Sequence, residues 1–209
     1  MTKQPTSYTV TAIEPQVKRP DRYSVFLNGK FWCGLSAQGL LDSKLRQGDE
    51  LSKQQATELK EKAQTDALFS RTLDWLSRRP RSKWEVEQYL RKKEVPPSTI
   101  DDFMQLLAEK QLINDELFAS SWVVSRRLLK PISRRKLQAE LRQKRVSDEI
   151  IQYVLKQDDA DELVVLKDMI IKRRQQTRYR DDTKLMQYLS RQGFNYGDIK
   201  QAFEELASQ

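Results

Sequence analysis

One spacing recurs three times in this chain and limits what it can fold into. A residue able to cap a helix is followed by an apolar residue four positions on, another four on, and another five on. The three instances are Ser82, Val86, Leu90, Val95; then Ser133, Leu137, Leu141, Val146; then Asp181, Leu185, Leu189, Phe194. An isoleucine follows each, at Ile100, Ile150 and Ile199. The second leucine-position residues, Leu90, Leu141 and Leu189, lie 51 and 48 residues apart, so the chain repeats itself about every fifty residues. Apolar residues four apart share one helical face. A Ser or Asp just before them can accept a hydrogen bond from a free first-turn amide. Each instance therefore predicts a short, capped helix with one face reserved for a core.

Of 209 residues, 38% are hydrophobic and 33% are charged. That is polar but foldable, and it suits a thin, elongated helical array better than a body with a deep core. The net charge of +8 favours polyanionic partners. Its location matters more, because residues 114–157 alone carry +5. Between Arg126 and Arg145 there are nine Lys or Arg and one acid, Glu140. A single cysteine, Cys33, excludes an intrachain disulfide and fits a reducing compartment. No apolar run is long enough to span a membrane and no signal segment is visible, so a cytoplasmic chain is expected.

Four segments are expected: a β-hairpin or meander over 1–50, a long helix and repeat 1 over 51–113, the most basic repeat over 114–157, and a third repeat over 158–209. Residues 8–13 alternate and read as a strand. Residues 14–21 contain Pro15 and Pro20 and read as a loop. Residues 22–27 and 30–35 flank Asn28-Gly29, the signature of a tight hairpin. Leu40, Leu41 and Leu45 suggest a short helix closed by Gly48. From about Ser52 a long helix runs without Pro or Gly up to Pro80. Ser82 and Glu85 form a capping-box pattern. Pro96-Pro97 and Pro131 separate helices, and Asn114 or Asp115 caps the first helix of repeat 2. Nothing in 52–209 reads as a strand. The expected fold is mainly α, an elongated array of three tandem three-helix repeats preceded by a small antiparallel β segment and a long helix.

The chain has no histidine, which removes the commonest general base and metal ligand. It has no phosphate-binding glycine pattern, with only 6 Gly in all. The acid pairs Asp101-Asp102, Asp158-Asp159 and Asp181-Asp182 stand at helix starts, where they complement the helix dipole rather than a metal. No catalytic residues, cofactor or metal are expected, and the chain reads as a binder rather than an enzyme. The strongest signal is the cationic set Arg126, Arg127, Lys130, Arg134, Arg135, Lys136, Arg142, Lys144 and Arg145. Most charge runs are solvated faces. Here balancing acids at helical spacing are missing, with Glu140 the one partner near Lys136 and Lys144. Arg135 and Arg142 lie on the face opposite Leu137 and Leu141, free to meet a polyanion. A secondary patch joins Arg78, Arg79, Arg81 and Lys83 to Arg91, Lys92 and Lys93, diluted by Glu85 and Glu87. A third run, Lys172 to Arg180, is followed at once by Asp181 and Asp182. Trp84 lies off the apolar stripe of its helix. Packing on the N-terminal arm or a neighbouring repeat is the favoured reading over a partner anchor. Cys33 reads as an inert small hydrophobe.

Three segments resemble the RecX family of recombination regulators. They are Arg81-Ser82 through Leu90, Leu112 through Ala119, and Arg134 through Val146. The family pattern there is basic-Ser-x-x-Glu-x-x-x-x-Leu, then Leu-x-(Asn/Asp)-Asp-x-x-Phe-Ala, then a basic helix with Glu-Leu-x-x-Lys-Gly-Ile/Val. Two glycines common in the family, before the middle helix and near its end, are Ile132 and Arg145 here. The resemblance implies tandem three-helix repeats that lie in the groove of the RecA nucleoprotein filament. It also implies restraint of filament growth, ATP hydrolysis and strand exchange. On that likeness the cationic set is expected to touch the filament or the phosphates of single- and double-stranded DNA, with the chain acting as a monomer. The alternative is a nucleic-acid-binding helical module that needs no RecA. A helical adaptor for an unrelated acidic protein is a third reading.

Overall fold

A computed structural model describes residues 7–208 and divides the chain into two compact units, one ending at Arg79 and the other starting at Pro80. The first unit contains β1 (Ser7–Gln16), β2 (Arg19–Leu27), β3 (Lys30–Ser36), α1 (Ala37–Ser43), β4 (Glu50–Ser52) and α2 (Lys53–Leu76). The strands form one antiparallel sheet in the order β3-β2-β1-β4. Asn28 and Gly29 both take positive φ, 49° and 75°, and turn β2 into β3 as their residue types require.

Two expectations for this unit are corrected. Residues 14–21 are not a loop: β1 continues through Pro15, a two-residue turn follows, and β2 begins at Arg19. The β1–β2 register shifts between Pro15 and Gln16, and such an irregularity is where a strand tolerates a residue without an N–H. β4 was not expected, because three residues show no periodicity. It forms by pairing with β1, Ser7 opposite Ser52 and Thr9 opposite Glu50.

Val10, Val25, Leu27, Cys33 and Leu35 of the sheet bury themselves against Ala56, Leu59 and Ala63 of α2. Arg22 is buried there. Its guanidinium donates to the Gly34 carbonyl at 2.9 Å and the Ser70 hydroxyl at 3.0 Å, and lies 3.4 Å from Asp66. Asp66 in turn accepts from the Ser36 amide and hydroxyl. Sheet and helix are thus joined by a satisfied polar link as well as an apolar one.

The second unit is helical: α3 (Lys83–Lys92), α4 (Pro97–Glu109), α5 (Asp115–Leu129), α6 (Arg134–Gln143), α7 (Asp148–Lys156), α8 (Glu162–Arg174), α9 (Asp182–Arg191) and α10 (Tyr196–Ala207). A single 3-10 turn, Thr177–Tyr179, follows α8. The recurrent spacing is the length of one capped helix. Ser82, Ser133 and Asp181 each accept from amides of the first turn of α3, α6 and α9. At the other end the +5 residue turns the chain back. Val95, Val146 and Phe194 donate to the carbonyls of Leu90, Leu141 and Leu189 at 3.4, 3.2 and 3.4 Å. The residue before each is left-handed: Glu94 (φ 58°), Arg145 (φ 58°) and Gly193 (φ 94°). This is the left-handed helix stop, with its apolar contact across the turn. Every apolar residue of the three frames is buried.

Repeat 2 closes Phe118, Ala119 and Val123 of α5 over Leu137 and Leu141 of α6 and Ile151, Val154 and Leu155 of α7. Repeat 3 does the same with Leu166 and Ile170, Leu185 and Leu189, and Ile199 and Ala202. Adjacent repeats meet through one recurring joint. The third residue of an earlier middle helix faces the closing turn of a later one. Glu85 of α3 holds Lys144 at the end of α6, 2.8 Å apart. Lys136 of α6 donates to the Arg191 carbonyl at 2.6 Å and the Gln192 side chain at 3.3 Å at the end of α9. The Ser133 amide donates to the Gln192 carbonyl at 3.0 Å. The approach is close enough that a Cβ on Gly193 would overlap the Ser133 hydroxyl and stand 2.8 Å from the Lys136 Cβ.

Candidate partner-binding face

The geometry divides the nine cations of the basic cluster. Five of them are tied into the fold. Arg127 is the most enclosed. Its side chain is 12% exposed and that of Asp158 only 7%, with Nη2 2.6 Å from the carboxylate and Nη1 donating to the Ile132 carbonyl at 2.8 Å. It fastens α5, the link to α6 and the start of repeat 3 together. Arg126 Nε sits 2.7 Å from Glu140, with its guanidinium carbon 4.7 Å from the Trp122 ring centre. Trp122 donates its indole N–H to the same Glu140 oxygen at 2.9 Å, and Lys144 stands 5.6 Å from that ring centre. Arg134 donates a side-chain N–H to the Asp158 carbonyl at 2.8 Å, and its amide donates to Glu162. Lys136 and Lys144 belong to the joints between repeats.

The expectation that carboxylates were missing is therefore corrected. They come from far along the chain: Glu85, Asp158 and Glu162 reach the cluster by folding. Glu140 serves Arg126 and Trp122 rather than Lys136 or Lys144.

Four cations remain outward. Lys130, Arg135 and Arg145 are exposed, and no side-chain hydrogen bond or ion pair forms at any of them among the described residues. Arg142 pairs with Asp148 at 2.7 Å, with both side chains more than half exposed. A pair this wet is worth little and opens readily to a competing anion. Arg135 and Arg142 share one face of α6, about 10 Å apart along its axis at 1.5 Å per residue, with Ala139 exposed between them. The frame explains their placement. Leu137 and Leu141 point inward, and the positions opposite them on a ten-residue helix must point outward.

The other basic runs are more dispersed. Arg78 and Arg79 lie at the end of the first unit; Arg81, Lys83, Arg91, Lys92 and Lys93 lie in the second. Arg91 pairs with Glu87 at 2.6 Å, and Lys93 stands 5.8 Å from the Tyr89 ring centre. Lys83 and Lys92 are exposed, Arg81 is half-buried, and the Lys83 amide donates to Asp115 at 2.8 Å. In the third run Arg173 donates to the Tyr188 hydroxyl at 2.8 Å and Arg174 pairs with Asp182 at 2.8 Å. Trp84 is half-buried. Among the described residues no cluster of acid, histidine or cysteine side chains is arranged to hold a metal. No helix there is long and apolar enough to cross a membrane.

Three family models match consecutive stretches that together exceed half of the chain. They are the RecX N-terminal domain over residues 8–52, the first RecX three-helix domain over 69–105 and the second over 114–155. Regulatory protein RecX of Bacillus subtilis is 29% identical over 202 residues, covering 94% of this chain and 76% of the relative. That of Halalkalibacterium halodurans is 29% identical over 206 residues, with 94% and 77% covered. A crystal structure of regulatory protein RecX superposes with a TM-score of 0.68 at 25% identity, covering 94% of this chain and 99% of that one. The crystal structure of RecX from Lactobacillus salivarius shares the fold, with a TM-score of 0.57 at 23% identity over 69% of this chain and 97% of that one.

Proposed function

This chain belongs to the RecX family of regulatory proteins, and from that premise we propose that it modulates the RecA nucleoprotein filament. It binds in the filament groove and mainly inhibits filament growth, ATP hydrolysis and strand exchange. One observation carries the reading: α6 presents Arg135 and Arg142 outward on a rigid, doubly capped helix, while five neighbouring cations are spent on holding that helix in place. The contact set narrows to Arg135 and Arg142, extended by Lys130 and Arg145. These groups meet carboxylates of the filament surface or phosphates of its DNA. Charge of this kind steers encounter and weakens with salt.

The test is RecA ATPase on single-stranded DNA with this chain titrated in. The wild type inhibits. Arg135→Glu with Arg142→Glu abolishes inhibition and leaves helicity unchanged. Full inhibition by that variant rejects the contact set.

The spacing of Arg135 and Arg142 also suits two phosphates of one strand, which favours a second reading as a nucleic-acid module independent of RecA. Titration onto bare single- and double-stranded DNA, with and without RecA and ATP, separates the two. Tight DNA binding that RecA does not improve favours the second.

A further inference from the structure

The face of α6 that carries Arg135 and Arg142 has a counterpart in repeat 3 with different chemistry. Counted from the caps Ser133 and Asp181, Arg135, Ala139 and Arg142 correspond to Thr183, Gln187 and Ser190 of α9, all exposed. In repeat 2 the Arg142–Asp148 pair bridges α6 to the start of α7. In repeat 3 Ser190 and Tyr196 hold those two places, and among the described residues no ion pair links α9 to α10. A groove of about 560 Å³ opens there, lined by Thr183, Met186, Gln187, Ser190, Arg191 and Tyr196. That volume is in the range of small-ligand sites.

The lining selects the occupant. Tyr196 is 67% exposed, and among the described residues its ring stacks on nothing and its hydroxyl bonds to nothing. The side chains of Thr183, Gln187, Ser190 and Arg191 likewise form no hydrogen bond or ion pair there. One aromatic face, one amide, two hydroxyls and one guanidinium stand together unspent. An acidic peptide calls for more than one cation, and an apolar side chain would strand the amide and hydroxyls. A heterocyclic base uses all of them: a ring to stack on, donors and acceptors at its edge, and a cation for the attached phosphate.

The groove also continues the cationic face. Arg191 lines it, and the Arg191 carbonyl accepts at 2.6 Å from Lys136, the neighbour of Arg135 in the first turn of α6. The Ser133 amide at the α6 cap donates to the Gln192 carbonyl at 3.0 Å. A strand whose phosphates lie on Arg142 and Arg135 is thus led to Arg191 and the groove.

We propose that the α9–α10 groove takes one unpaired nucleobase of a single strand. The base stacks on Tyr196 and sets its edge on Gln187, Thr183 and Ser190, and the flanking phosphates lie on Arg191 and Arg135. The inference rests on the phosphate contact proposed for α6 and adds a base contact to it. Bases stacked inside a duplex cannot make that contact, so the groove favours single strands.

The test measures binding of the full chain, by fluorescence anisotropy, to a labelled oligothymidylate and to an abasic strand of the same length. Wild type binds the oligothymidylate about tenfold more tightly. Tyr196→Ala loses that preference and matches wild type on the abasic strand. Tyr196→Phe retains it, because the stacking face remains. Tyr196 is exposed, so circular dichroism stays at wild type. Ser190→Arg with Tyr196→Asp installs the pair found in repeat 2, closes the groove and abolishes the preference as well. Wild-type binding that does not distinguish the strands, or a Tyr196→Ala chain that keeps the preference, overturns the inference and leaves the α6 contact standing. Binding to neither strand overturns the phosphate contact together with the inference. Weakened filament inhibition by Tyr196→Ala with strand preference intact assigns the groove to a protein surface and overturns the inference.

Discussion

Replacing Arg127 with Ala is predicted to destabilise the helical unit more than any other change in the basic cluster. The guanidinium makes two donations to Asp158, at 3.1 and 2.6 Å to one oxygen, and a third to the Ile132 carbonyl at 2.8 Å. Truncation leaves the Asp158 carboxylate, 7% exposed, without its counter-charge. Removing one partner of a buried pair costs about 3–5 kcal/mol, most of it the uncompensated charge left behind. With a urea m-value of about 2 kcal/mol/M, that is a fall in the unfolding midpoint of about 2 M. The control is Arg135→Ala, an exposed side chain whose loss should move stability by less than about 0.5 kcal/mol. Urea unfolding followed by circular dichroism reads both. Joint replacement, Arg127→Met with Asp158→Leu, should recover most of the loss, because no orphaned charge remains. If Arg127→Ala unfolds within about 1 kcal/mol of wild type, the limit for a wet pair, the clamp is not structural and Arg127 returns to the candidate binding face.

Two further outcomes are expected. Arg145 stops α6 in the left-handed conformation that glycine adopts without steric cost. Arg145→Gly should therefore raise stability by about 1 kcal/mol in urea unfolding, while a drop in filament inhibition would measure the charge it removes. Burial pushes the Cys33 thiol from 9.0 up to about 11. Its raised folded value contributes stability below pH 9 that drains away as pH climbs towards 11. Thiol alkylation at pH 8 should be slow in the folded chain and fast in urea; equal rates would place Cys33 at the surface.

The helical frame was legible because its information is local. A cap, two apolar steps and a left-handed stop all lie within fourteen consecutive residues, such as Ser133 to Val146. The sheet was harder to read. Pro15 and Pro20 look like loop residues until β1 and β2 are seen to tolerate them, and β4 exists only through its pairing with β1. The candidate binding face was half legible. Helical periodicity alone sets Arg135 and Arg142 outward. It says nothing of Asp158, 31 residues from Arg127, or Glu85, 59 residues from Lys144. Sequence neighbours made these cations look surplus, whereas folding supplies the acids. The α9–α10 groove carried a signal that could have been found: Ser190 and Tyr196 stand where the repeat spacing puts Arg142 and Asp148.

The joint between repeats also bears on how copies behave when crowded along a lattice. Within one chain it matches Glu85 with Lys144, and Lys136 with a carbonyl and an amide. The two remaining places of that joint belong to Lys93, which closes α3, and Lys184, third in α9, both exposed. Were two copies to stack end to end through it, Lys93 would meet Lys184, which lies 3.7 Å from Asp181, and no acid of the joint would match them as Glu85 matches Lys144. The joint that zips neighbours within the molecule is thus left unmatched between molecules.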